Sequence, residues 1–176
     1  VDSALVQSYI NRYRGTKSPY YTKFHFLMAS LLEASKQYVA AIGYCDSAIA
    51  HAPKSEGAKE CHNLRGSITD PVIQMATQCL EAYPGQPSLQ RVTHRNVQHL
   101  YYRVVQYFPE RGNKLRDQMR NATVLYSGEW NIEDAGGHQF ASSYVALPPM
   151  KAGHYWLLVS PTADFRKQGF DVFETW

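Results

Sequence analysis

The hydrophobic rhythm of this chain changes at Pro71, and that change constrains its fold more than any other feature. Ahead of it, apolar residues recur every third or fourth position: Leu5, Val6, Tyr9, Ile10 and Tyr13, then Phe24, Leu27, Met28, Leu31 and Leu32, then Val39, Ile42, Cys45, Ala48 and Ile49. That spacing lays a single apolar stripe along a helix. From Val72 the period is two, with Val72, Gln74 and Ala76 alternating against Ile73, Met75 and Thr77, as residues on the two faces of a strand do. The expected fold is therefore all-α then all-β, with one domain over 1–70 and a second over 71–176.

Local signals divide the first part into four helices. Asp2 and Ser3 supply a cap for the first and Gly15 a stop; Ser18-Pro19 restarts the chain; a third helix spans about Ser35 to Ala52 before Pro53; a fourth runs from Ser55 to about Ser67. Helices of this length are marginal alone, so antiparallel stacking has to stabilise them. His25, Met28, Ala29 and Leu32, followed by Ala41, Cys45, Ala48 and Pro53, stand at the spacing of the tetratricopeptide pattern. The segment thus resembles a short tetratricopeptide-like four-helix unit, with His25 where a large aromatic is usual and Leu32 where Tyr is common. Such a unit serves either as a packing and spacing module or as a peptide-binding groove.

The second part reads as strands near 72–77, 89–94, 97–108, 123–126, 140–146, 155–160 and 170–173. Turns are marked by Tyr83-Pro84-Gly85-Gln86-Pro87, Arg95-Asn96, Gly136-Gly137 and Lys151-Ala152-Gly153. Leu100, Tyr102 and Val104 share one face while Tyr101, Arg103 and Tyr107 take the other, which predicts one packed side and one wet side. Pro148-Pro149 has to lie at an edge or corner. The expectation is a seven-stranded antiparallel β-sandwich of immunoglobulin-like or fibronectin type.

Composition excludes several functions. The net charge of +3 is spread evenly, with eight Lys/Arg against six Asp/Glu in 1–70 and ten against nine in 71–176, so neither part has the field of a nucleic-acid binder. The densest basic stretch, Arg111 to Arg120, contains Asp117 and no aromatic for base stacking. No window is apolar enough to span a bilayer. The chain opens on Val1 rather than Met and ends in what reads as a strand in progress at 170–176, which predicts a fragment of a longer secreted or membrane-tethered precursor. Cys45, Cys61 and Cys79 are odd in number and lack metal-ligand spacing. Cys45 and Cys61 fall on apolar helix faces, where they serve as small hydrophobes or, in an oxidising compartment, as a bridged pair.

Catalytic constellations fail at the level of spacing. His94 and His99, and His51 and His62, have no companion ligands at metal spacing. His154, Ser160 and Asp164 make a triad only on paper, with no nucleophile turn around the serine. Glu129, Glu133 and Asp134 supply paired acids, but Gly136-Gly137 beside them reads as an exposed turn. Asn121-Ala122-Thr123 fits the glycosylation pattern and, in a bacterial protein, is a polar strand entry. Tyr101, Tyr107, Tyr126 and Trp130 are either a sugar-binding face or packed aromatics. No residue is assigned a catalytic, cofactor-binding or metal role, no cofactor is expected, and the chain is read as non-enzymatic.

The tetratricopeptide-like helices, the Tyr83-Pro84-Gly85-Gln86-Pro87 turn, Val92-Thr93-His94-Arg95-Asn96-Val97, Leu100-Tyr101-Tyr102-Arg103-Val104-Val105, and Leu147-Pro148 with Gly153-His154-Tyr155-Trp156-Leu157-Leu158-Val159-Ser160 follow in an order that resembles the N-terminal region of bacterial alpha-2-macroglobulin family proteins, closest to the Bacteroidetes type. The resemblance rests mainly on about 95 residues of the second part. It implies tetratricopeptide-like helices followed by a first macroglobulin domain of a protease trap, an endopeptidase inhibitor exported to the periplasm or outer membrane of the cell envelope. The partners implied are further domains of the same full-length chain and, through them, proteases. The family's thioester Cys-x-Glu-Gln is missing: Cys45, Cys61 and Cys79 are followed by Asp46-Ser47-Ala48, His62-Asn63-Leu64 and Leu80-Glu81-Ala82. The alternatives are an adaptor that binds a peptide or envelope protein, and a carbohydrate-binding module.

Overall fold

Four helices precede every strand. The structure, a computed structural model, describes residues 2–75, 83–107, 118–119, 121–165 and 171–175, the last five by their backbone. The chain divides into two units, Val1–Asp70 with Gly136–Gln139, and Pro71–Ala135 with Phe140–Trp176.

In the first unit, helix α1 (Ser3–Tyr13) starts where the Asp2 side chain accepts the Ala4 N–H at 2.9 Å, satisfying one of the orphan donors of a first turn. Helix α2 (Tyr20–Ala34) follows Pro19, and Ser18 Oγ accepts the Tyr20 N–H at 3.3 Å. Lys36 then takes the left-handed region at φ 59°, and the Gln37 N–H returns to the Leu32 carbonyl at 2.8 Å. That closure delays helix α3 (Tyr38–His51) past the expected start at Ser35. Helix α4 (Glu56–Thr69) is capped by Ser55 Oγ, which accepts the Ala58 N–H at 3.2 Å.

Small residues set how closely these helices pack. Ala29, Ala41, Cys45, Ala48 and Cys61 are fully buried in one core with Tyr38 and Ile68, while Val6, Ile10 and Met28 form a second core between α1 and α2. Ion pairs Lys23–Glu60 at 2.8 Å and Arg65–Asp46 at 2.9 Å join α2 to α4 and α4 to α3 on the surface.

The second unit carries β1 (Val72–Met75), β2 (Ser88–Arg95), β3 (His99–Gln106), β4 (Val124–Asn131), β5 (Ala141–Leu147), β6 (Tyr155–Ser160) and β7 (Asp171–Thr175). The expectation of a seven-stranded β-sandwich is corrected here: the strands make two small antiparallel sheets, β1-β2-β5 and β4-β3-β6, with β7 added beside β6. The physical reason lies in what covers β3 and β6. Leu100, Val104, Leu157 and Val159 pack on one side with Val92, Val145 and Leu147. On the other side Val105 and Leu158 are buried with Met119 and Phe165, joined by Tyr101 and Trp156. The face expected to be wet is therefore half covered, with Tyr101, Arg103 and Tyr107 partly buried, and the Arg103 guanidinium lies over the Phe165 ring, 4.2 Å from its centroid. Strand β4 also continues through Gly128 to Asn131, past the expected end near Tyr126.

The turns follow their residues. Gly85 takes φ 78°, its N–H reaching the Met150 carbonyl at 2.7 Å, and the Gln86 N–H closes on the Tyr83 carbonyl at 3.1 Å. Asn96, at φ 56°, makes the bend after β2, a conformation that asparagine tolerates.

Candidate functional site

In the second unit, β5 ends one sheet and β4 ends the other. A groove of about 510 Å³ is lined from both, chiefly by Glu129, Trp130, Glu133, Ser143, Tyr144 and Ala146. Trp130 holds the two edges together: its Nε1–H donates to the Ala146 carbonyl at 2.9 Å, and its ring stacks on Tyr102 at 4.4 Å and 15°. Gly128, opposite Tyr102 in the ladder, leaves the space that this tyrosine ring occupies. The groove therefore has an anchored Trp130, an exposed Tyr144 (63 %) and two exposed carboxylates, Glu129 and Glu133.

A buried histidine stands behind the β5 wall. His94 Nε2 is 2.9 Å from Ser143 Oγ, and the imidazole is fully buried. Burial holds its pKa below the ordinary value, while the charge of Asp134 acts in the opposite direction. The 2.9 Å separation suits proton exchange between imidazole and hydroxyl. Yet His94 is sealed within the core side of β2 among Ser88 and Gln90, which are also buried, so the contact satisfies Nε2 and the hydroxyl inside the sheet, while the buried Nδ1 has no hydrogen-bond partner among the described residues.

No family model matches this chain, and no curated protein matches it.

The residues that the sequence singles out are dispersed. Ser160 Oγ accepts the Thr162 N–H at 3.1 Å and Thr162 Oγ1 donates to Asp164 at 2.9 Å, in the turn after β6, whereas His154 precedes that strand and packs on Tyr107. Ser160 ends strand β6, six positions along the extended chain from His154, roughly 20 Å at ~3.3 Å per residue. His94 is buried and His99 exposed. His51 Nε2 bonds the Thr16 carbonyl at 3.0 Å, and His62 is exposed on α4. Among the described residues, no three His, Cys, Asp or Glu side chains gather to hold a metal, and no helix is long and apolar enough to cross a membrane.

The aromatics divide likewise. Tyr126 and Trp130 pack on the shared core, Tyr101 on the opposite face of the sheet, and Tyr107 against Trp156 at 5.1 Å. Asn121 and Thr123 are exposed just ahead of β4. Most of the basic stretch 111–120, and Cys79, lie outside the described residues. The pairing of His94 with Ser143 and the exposure of Tyr144 were not anticipated. The only advance sign of the pairing is that both residues share the inward parity of their strands.

Proposed function

We propose that this chain is a non-catalytic structural piece of a larger exported protein of the macroglobulin-like, protease-trapping type. Its helical unit serves as a spacer, and its sheets dock against the next domain of the same full-length chain in the periplasm or at the outer membrane. One observation carries the docking role. Among the described residues, strand β4 is the terminal strand of its sheet, is exposed along most of its eight residues, and presents Val124 (41 %) and Leu125 (44 %) with no Lys or Pro to guard it. Natural proteins blunt or cover such edges, and a neighbouring strand covers this one most economically.

The resemblance in residue order supports the family part of the reading. Support for a non-catalytic role comes from the dispersal of His154 from Ser160 and the enclosure of His94. The test is to incubate the full-length protein with several proteases and to follow cleavage of large protein substrates beside small peptides. Trapping is expected to suppress the first and spare the second. Equal loss on both, or no loss on either, overturns it.

An adaptor is the second reading, favoured by the same edge, since a peptide adds to an open sheet edge through main-chain hydrogen bonds. A gene that continues into many further sheet domains supports the trap, and one that stops shortly after Trp176 supports the adaptor.

A further inference from the structure

Cys45 and Cys61 are both completely buried and belong to the same core cluster, one from α3 and one from α4. The two side chains therefore meet in the interface between the same two helices. The register is pinned nearby: Arg65, one helical turn beyond Cys61, donates to Asp46, the neighbour of Cys45, at 2.9 Å. Ala41, Ala48 and Ala58, each about one helical turn from one of the cysteines, are also fully buried, which lets the two helices approach closely there.

From this geometry we propose that Cys45 and Cys61 are a dithiol that oxidises to an intramolecular disulfide clamping α3 to α4. Cysteines facing each other across closely packed helices can reach an S–S bond of about 2.05 Å by side-chain rotation. The oxidant is a second disulfide, either a small molecule such as oxidised glutathione or a protein. One cysteine attacks it as thiolate and expels one thiol; the other, after losing its proton, attacks the first cysteine's sulfur and expels the second. Two thiols of this chain become one disulfide, and the two electrons and two protons leave in the two thiols released. Because neither sulfur is exposed, exchange takes place while α4 is undocked, during folding or local opening.

Refolding the full chain with oxidised glutathione, alkylating in denaturant and mapping tryptic peptides by mass spectrometry tests this. The wild type and Cys79→Ser are expected to yield peptide 37–54 joined to peptide 60–65, two hydrogens lighter than the free pair. Oxidised protein is expected to melt roughly 5 °C or more above the reduced form, as closing a short loop implies, and Cys61→Ala to abolish that difference. On folded protein, mild urea is expected to accelerate oxidation. Recovery of Cys45 and Cys61 as alkylated thiols, or as two separate glutathione adducts, overturns the proposal, as does pairing of either with Cys79.

Discussion

Gly57 of α4 lies against the backbone of Thr22 in α2, so closely that a Cβ at position 57 would stand 2.5 Å from the Thr22 carbonyl carbon. Thr22 is itself fully buried, its hydroxyl donating to the Pro19 carbonyl and accepting from Ser55 Oγ, both at 3.0 Å. The start of α4 is thereby seated on the start of α2, and the seat accepts only glycine.

Gly57→Ala is therefore expected to destabilise the helical unit by about 1–3 kcal/mol, the cost of forcing atoms into a packed contact. Ordinary helix propensity works in the other direction. Gly66→Ala, in the same helix with nothing within 4 Å of the added carbon, is expected to stabilise by about 0.5–1 kcal/mol. Urea unfolding of both variants, followed by circular dichroism, checks the pair. Shifts of the same sign would refute the tight contact at position 57.

At Gly128 an added Cβ would meet the far end of the Tyr102 ring, 2.7 Å from Cε1. A tyrosine tip can swing aside, so Gly128→Ala is expected to cost only about 1 kcal/mol while lifting Tyr102 off Trp130. Near-ultraviolet circular dichroism should register the broken stack. An unchanged aromatic spectrum in a folded variant would mean that the rings are not coupled.

Trp130→Phe keeps a ring for Tyr102 but removes the Nε1–H that meets the Ala146 carbonyl. The expected loss is about 0.5–1.5 kcal/mol, that of one net hydrogen bond, and the amides of β4 and β5 should exchange faster. Protection unchanged along both strands would show that this bond does not hold the groove closed.

Two buried imidazoles make stability depend on pH. His25 is held below the ordinary 6.5 by burial, partly offset by the hydrogen bond of its Nδ1 with the Tyr21 carbonyl and reinforced by the charges of His51 and Arg14; His94 is held below 6.5 by burial, partly offset by Asp134. Below 6.5 the unfolded chain therefore binds more protons than the folded one. The contribution of both groups is fully present above 6.5 and is lost as pH falls from there through their lower folded values. Urea midpoints at pH 7.5, 6.5 and 5.5 should fall with acidity, and fall less in His25→Gln/His94→Gln. Equal slopes in the two proteins would exclude these histidines.

Features written in neighbouring residues were legible from sequence: the caps at Asp2 and Ser55, the Pro84-Gly85 turn, and the order of helices before strands. Features that depend on distant partners were not. Strand β3 reads as half wet because Met119 and Phe165, which cover its other face with Leu158, come from segments whose position no periodicity encodes. The same blindness turned two small sheets into an expected seven-stranded sandwich, since alternation counts strands without pairing them. His94 and Ser143 are 49 positions apart, and nothing local to either announces the other. Lys36 shifted a helix start for a different reason: a left-handed lysine is uncommon enough that residue type does not signal it.

The ladder between β2 and β5 has a kinetic consequence. Val92 has to find Ser143, and Ser88 has to find Leu147, for β5 to join β2, so about fifty residues are gathered first and the entropy of closing that loop is met in advance. The helices complete their bonds four residues away and face no such search. After dilution from denaturant, helical signal should therefore return in microseconds to milliseconds, and the strand signal in milliseconds to seconds.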